Sequence, residues 1–75
     1  IYKRSMINFL LVMKVCSVLD GTCLPEREVS YHDTWFECAR AGTVETLVLM
    51  DAIGENLINK NKLYITYGCR ASNEA

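Results

Sequence analysis

Four cysteines occur in a chain of only 75 residues, and they restrict its possible structures more than any other property of the sequence. A domain this small buries a modest part of its surface, and its core alone contributes roughly 3–5 kcal/mol of net stability. An even number of cysteines in a short chain indicates a disulfide framework, here two bridges with three possible pairings. Reduced thiols in a cytosolic protein are the alternative, because free cysteine is also a common core residue. The four are Cys16, Cys23, Cys38 and Cys69.

A zinc site is a weaker interpretation of the same cysteines. Successive cysteines are separated by 6, 14 and 30 intervening residues, so the closely spaced pairs that are typical of zinc sites do not occur. His32 is the only histidine in the sequence. We therefore expect no metal and no cofactor.

The composition predicts one folded domain and excludes several classes of partner. Hydrophobic residues make up 51% and charged residues 23% of the chain, which is a globular composition. The net charge of -1 argues against nucleic acid as a partner, and no apolar run is long enough to span a membrane. We expect a single domain over 1–75 with its folded core at 6–70 and a polar tail at 71–75. Residues 1–5 precede Met6 and are expected to be non-native or disordered.

The order of secondary structure predicts an α+β fold. Alternating apolar residues indicate strands at 7–16 and 62–70, and a shorter edge strand is expected at 26–31 after an Asp20-Gly21 turn. One helix is predicted over 35–58. The resulting β-β-α-β order gives a three-stranded antiparallel sheet with the helix packed on one face.

The start and the buried face of the predicted helix can be assigned. Thr34 and Glu37 fit a capping box, in which Thr34 is the N-cap. Gly42 is expected to let the helix approach the sheet closely, and Gly54 to loosen the last turn. The expected core consists of the helix residues Trp35, Cys38, Leu49 and Ile53 packed against the strand residues Phe9, Leu11, Met13, Leu63 and Ile65.

The strand directions of this layout favour one disulfide pairing. Cys16 and Cys23 flank the hairpin turn and should face each other across it. Cys38 lies in the first helical turn, and Cys69 lies at the corresponding end of the last strand on the side that faces the helix. Cys16–Cys23 and Cys38–Cys69 is therefore the pairing that needs no distortion of the chain.

The opposite sheet face is the predicted interaction surface. One helix covers one face of a sheet, so residues of the other parity should remain uncovered and partly apolar. The interface candidates are Leu10, Val12, Lys14, Tyr64 and Thr66. A second copy of the chain, which would give a homodimer, or another protein is the expected partner.

The cysteines and their neighbours resemble small uncharacterised proteins encoded by marine bacteriophages. The similar segments are 10–17, Gly21-Thr22-Cys23-Leu24-Pro25, 35–42 and 62–69, and they cover nearly all of the chain from Met6 onward. The resemblance implies a viral accessory protein, and it supplies no catalytic residue. The implied location is the host cytoplasm during infection or the virion. A secreted or periplasmic location is the alternative, although we interpret 7–16 as a strand and not as a signal peptide.

The sequence predicts no catalytic residues. His32 could serve as a base for a cysteine nucleophile, but Cys38 is expected in the core and His32 in a loop. Asp33 and Glu37 could form an acid–base pair, yet the capping box already accounts for Glu37. We therefore expect a non-enzymatic protein that acts by protein–protein interaction through the open sheet face. The alternative is a disulfide-stapled structural protein of a virion or a secreted protein.

Overall fold

The computed structural model describes residues 7–73, and it confirms the α+β class with an antiparallel sheet. The predicted non-native segment 1–5 and the end of the predicted tail, 74–75, lie outside the described residues. The described part contains four strands and two helices, where three strands and one helix were expected. In chain order the elements are β1 (Ile7–Ser17), β2 (Thr22–Cys23), β3 (Arg27–His32), α1 (Trp35–Ile53), α2 (Glu55–Asn61) and β4 (Leu63–Asn73).

β1 is the central strand of the sheet. β4 pairs with it along its whole length, from Ile7 opposite Asn73 to Ser17 opposite Leu63. β2 and β3 both pair with β1 and therefore share its other edge. The sheet is three strands wide, and the extra strand arises because the chain around Pro25, which has no N–H to donate, separates β2 from β3. β4 also continues through Asn73, three residues beyond its predicted end.

A β-bulge interrupts the pairing of β3 with β1. Leu11 lies opposite Ser30, but the next residue, Val12, lies opposite Glu28. Val29 is therefore an extra residue in β3. A bulge of this kind bends the strand and increases its local twist, so the β3 edge is shorter and less regular than the β4 edge.

The predicted single helix over 35–58 is wrong, because the chain breaks at Gly54. This residue has φ 96° and ψ 151°, a backbone conformation that favours glycine. Its N–H donates to the Met50 carbonyl at 3.0 Å and closes α1, and α2 begins at the next residue. The start of α1 agrees with the prediction, since the Thr34 hydroxyl accepts the Glu37 N–H at 3.1 Å.

The core lies between α1 and the side of the sheet that faces it, called here the helix face. Leu11 and Cys38 are fully buried, and Met13 completes the buried cluster. The residues packed around this cluster are Phe9, Ala41, Leu49, Ile65 and Cys69. Apart from Ala41, all of these residues belong to the predicted core or to the predicted disulfides, so the face assignment of β1 and β4 is confirmed.

Trp35 is not the core residue that the sequence predicted. Its side chain is 57% exposed, and its ring meets Phe9 edge-on with the ring centroids 5.7 Å apart. The physical reason is position, because Trp35 is the first residue of α1 and lies at the end of the layer, where the sheet covers only part of its ring. Ile53 and Leu63 are half-buried at the other end of the layer.

Gly42 allows the close approach of α1 to β4. It is buried, and a Cβ atom built on it would overlap the ring of Tyr67. The Tyr67 hydroxyl is also 3.4 Å from the Thr43 hydroxyl oxygen. The Tyr67 ring therefore occupies the space beside the one position of α1 that has no side chain.

Replacing Gly42 with alanine is expected to destabilise the protein by roughly 1–3 kcal/mol, because the methyl group displaces the Tyr67 ring. In a Tyr67→Ser background the same replacement should be neutral or stabilising by up to about 1 kcal/mol, since alanine is the better helix former. Urea unfolding of the four variants of this cycle measures both effects. Equal effects in the two backgrounds would contradict the proposed contact.

Candidate functional site

Two disulfides join the four cysteines in the predicted pairing, Cys16 to Cys23 and Cys38 to Cys69. The first bridge crosses from β1 to β2 with its Cα atoms 3.9 Å apart, and the second ties α1 to β4 over 6.2 Å. Cys16 points to the side of the sheet opposite α1, called here the outer face, whereas Cys69 points to the helix face. The two bridges therefore fix the sheet from opposite sides.

The outer face carries the predicted interface candidates, but two of them are themselves covered. Leu10 is only 7% exposed and Val12 only 4% exposed. Lys14, Tyr64 and Thr66 are exposed. The predicted face of each β1 residue is correct. Leu10 and Val12 are nevertheless buried, although α1 lies on the other face of the sheet.

Neighbouring strands supply the cover over Leu10 and Val12. Leu10 lies between Tyr31 of β3 and Arg70 of β4. Arg70 also forms an ion pair with Glu26, which precedes β3, so the pair reaches across β1 over the position of Val12. Both charged side chains are well exposed, so the attraction itself contributes little stability. Both residues line one surface pocket with Val12, so their aliphatic parts can shield the valine from water.

The outer face therefore offers a polar and aromatic surface, and not the aliphatic one that the sequence suggested. A partner that docks on this face would contact the side chains of Lys14, Tyr31, Tyr64, Thr66 and the Arg70–Glu26 pair. Leu10 and Val12 can support such an interface from below, but they cannot supply its contacts. The interaction through this face stays a prediction.

An apolar groove of about 430 Å³ lies on the helix face between α1 and the β2–β3 side of the sheet. We call it the α1–β3 groove. Glu45 and Arg27 are charged residues on its two walls, one on each side. The apolar residues that line it are Met13, Val15, Leu24, Pro25, Val29, Val48, Leu49, Ala52, Ile53 and Leu63.

The groove exists because α1 is drawn toward β4. The Cys38–Cys69 bridge and the contact of Gly42 with Tyr67 both attach the helix on that side. The β3 side of the helix face is left with a gap. Sequence analysis missed this site, although Val48 and Ala52, two apolar residues one helical turn apart that the predicted core leaves out, are a signal that could have indicated it.

Ser30 and His32 form a pair that the sequence analysis did not single out. They are two residues apart on β3, so they share a face, and the Ser30 hydroxyl oxygen is 2.7 Å from His32 Nε2. The sequence analysis considered His32 as a base for a cysteine nucleophile and set it aside, and the Cys38 sulfur is bonded to Cys69. A serine–histidine hydrogen bond is only part of a nucleophilic site, which also needs an orienting group and oxyanion donors.

No protein-family model, curated protein or solved structure matches this chain. None of the helices within residues 7–73 combines the length and apolar composition that crossing a membrane requires. In the same part of the chain, histidine, cysteine and acidic residues form no cluster of three or more that could hold a metal ion. Any functional conclusion therefore rests on the surface of the protein itself.

Proposed function

We propose that this protein is a disulfide-stapled protein-interaction module without catalytic activity. The observation that carries the proposal is the distribution of hydrophobic residues. Within residues 7–73, six hydrophobic residues are buried, whereas fourteen large hydrophobic residues are exposed. Isolated exposed apolar residues are ordinary, but contiguous ones are typical of binding surfaces.

The α1–β3 groove is the surface best suited to bind a partner. Its floor is formed by Met13 and Val15, which the sheet holds rigidly, and its walls carry the exposed side chains of Leu24, Val29 and Val48. A groove with aliphatic walls accepts apolar side chains of a partner segment, and the charges at its rim can orient that segment. We include the outer face as a second contact surface, where Tyr64 and Tyr31 are exposed.

The biological setting is part of the proposal. A viral accessory role rests on the resemblance to phage-encoded proteins. The second candidate function is a structural component of a virion or a secreted protein, and the two disulfides favour it, because such bridges persist in oxidising environments. Both functions depend on protein contacts and on a surface that the disulfides hold in place.

Selection of peptides from a random display library against the oxidised protein tests the proposed function. Selected peptides should bind the wild type and lose at least about tenfold in affinity for Val48→Asp, which places a charge in the groove wall. Leu47→Asp is the matched control, because Leu47 is exposed on the same helix outside the groove. Peptides that bind both variants equally well would contradict the groove as the site, and failure to select any binder would contradict the interaction module.

A further inference from the structure

The edge of β4 that faces away from β1, called here the β4 edge, is the longest unpaired strand edge in the described part of the chain. β4 runs from Leu63 to Asn73 and pairs only with β1 within residues 7–73. Its register is uninterrupted, and Arg70 is its only charged residue. At about 3.3 Å per residue, such a strand presents an edge on the order of 35 Å long.

The direction of the backbone groups on this edge follows from one hydrogen bond. The N–H of Val18 donates to the carbonyl of Lys62 at 3.0 Å, just beyond the last pair of β1 with β4. Residues with the same parity as Lys62 therefore direct their N–H and C=O groups toward β1. The residues of the other parity direct these groups outward, and they are Leu63, Ile65, Tyr67, Cys69, Ala71 and Asn73.

The two edges of the sheet differ in how well they are protected against pairing. The β3 edge carries Arg27 and Glu28, follows Pro25 and is bent by the bulge at Val29. Charges, proline and bulges are the devices by which proteins prevent strands from pairing with other chains. β4 has none of these between Leu63 and Cys69. Of the two edges, the β4 edge is therefore the one that is open to pairing with a strand of another chain.

Exposed apolar side chains of α1 lie near the β4 edge, on the helix face of the sheet. Thr43 contacts Tyr67 and marks the side of α1 that faces β4. At 100° per residue, Met50 lies on the same side of the helix and Leu47 close to it. Leu47 is 61% exposed and Met50 is 40% exposed. Neither side chain lines the α1–β3 groove.

We propose that the β4 edge pairs with the β4 edge of a second copy of this chain, in antiparallel orientation around a two-fold axis at Tyr67. This surface is separate from the α1–β3 groove, so the inference goes beyond the proposed function. The pairing matches residues 63–71 of the two copies and joins the sheets into one. The outward N–H and C=O groups of one strand then meet those of the other.

Charge and packing agree with this arrangement. In this register Arg70 of one copy lies opposite Tyr64 of the other on the outer face, and this pair occurs twice. The Arg70 guanidinium is bound to Glu26 across β1, so the Tyr64 ring of the other copy meets the aliphatic part of the arginine side chain. No like charges of the two β4 strands face each other, since Arg70 is the only charged residue of the strand. The helices α1 of the two copies, each packed over its own β1 and β4, would lie about 10 Å apart, the distance at which helices pack. Met50 then lies in the space between them, and Leu47 lies at the top of that space, on the side of α1 away from the sheet.

Sedimentation equilibrium of the oxidised chain over a range of concentrations tests the dimer. The wild type should reach twice the 8.5 kDa of one chain. Tyr64→Lys should weaken dimerisation at least about tenfold, because it places a cation opposite Arg70, whereas Tyr64→Glu should preserve or strengthen it. Val48→Lys adds the same charge in the groove and should leave the dimer unchanged.

Amide hydrogen exchange measured by NMR identifies the paired edge. The outward amides of Ile65, Tyr67 and Cys69 should be protected at dimer concentrations and exchange faster on dilution, while those of Thr66 and Gly68 stay protected in both states. A wild type that remains a monomer at millimolar concentration overturns the proposal. A dimer that forms equally well with Tyr64→Lys, or whose outward β4 amides are unprotected, also overturns it. Peptide binding to the groove is a separate measurement and decides the proposed function independently.

Discussion

Replacing both Cys38 and Cys69 with alanine is expected to lower the free energy of unfolding by about 4 kcal/mol. The bridge spans 31 positions of the sequence, and a loop of that length restricts the unfolded chain strongly. Cys38 is also fully buried at the centre of the core cluster. The loss is comparable to the whole net stability of a domain of this size, so the variant should be largely unfolded at 37 °C.

The other disulfide provides the matched comparison. Cys16 and Cys23 are separated by only 7 positions, so the same loop-entropy model gives about 2 kcal/mol for their double replacement by alanine. Urea unfolding followed by circular dichroism measures both variants against the oxidised wild type. If removal of the Cys16–Cys23 bridge proved the more damaging of the two, the attachment of α1 to β4 would not be what stabilises this fold.

Replacing Val12 with aspartate is expected to destabilise the protein by at least roughly 3 kcal/mol, because it buries a charge at a site that is 4% exposed. Arg70 is already paired with Glu26 above this position. A carboxylate at position 12 would therefore have to compete with Glu26 for the Arg70 guanidinium. The sequence places Val12 among the interface candidates of an uncovered face, where a charge would break a dimer without unfolding the chain, and the structure leads to the opposite expectation.

Thr66→Asp is the matched control for Val12→Asp. Thr66 lies on the same face in the neighbouring strand, opposite Lys14, and its side chain is exposed. We expect a change in the free energy of unfolding of less than about 0.5 kcal/mol, which is typical of surface substitutions. Thermal and urea unfolding at low protein concentration separate the two outcomes. A folded, stable Val12→Asp chain would show that the Arg70–Glu26 pair does not cover this residue.

Several features could be predicted from the sequence because they depend on local chemistry or on strand parity. The alternation in 7–16 and 62–70 assigned Leu11 and Met13 to the helix face and Val12 to the outer face. The same parity, combined with the helix phase, predicted the pairing of Cys38 with Cys69. Thr34 was recognised as the N-cap because its hydroxyl acts on a backbone group only three residues away.

Other features were decided by the tertiary structure. The exposure of Trp35 depends on where the sheet ends, and Val12 is buried beside the Arg70–Glu26 ion pair, whose members are 44 residues apart. The α1–β3 groove arises because a disulfide and the contact of Gly42 with Tyr67 draw the helix toward β4. Parity tells which face of a strand a side chain occupies, but its exposure is set by neighbours that are distant in sequence. The sequence by itself therefore determined the α+β class, the faces of β1 and β4 and the disulfide pairing, and the three-dimensional packing decided how the chain divides into elements and which faces remain accessible to a partner.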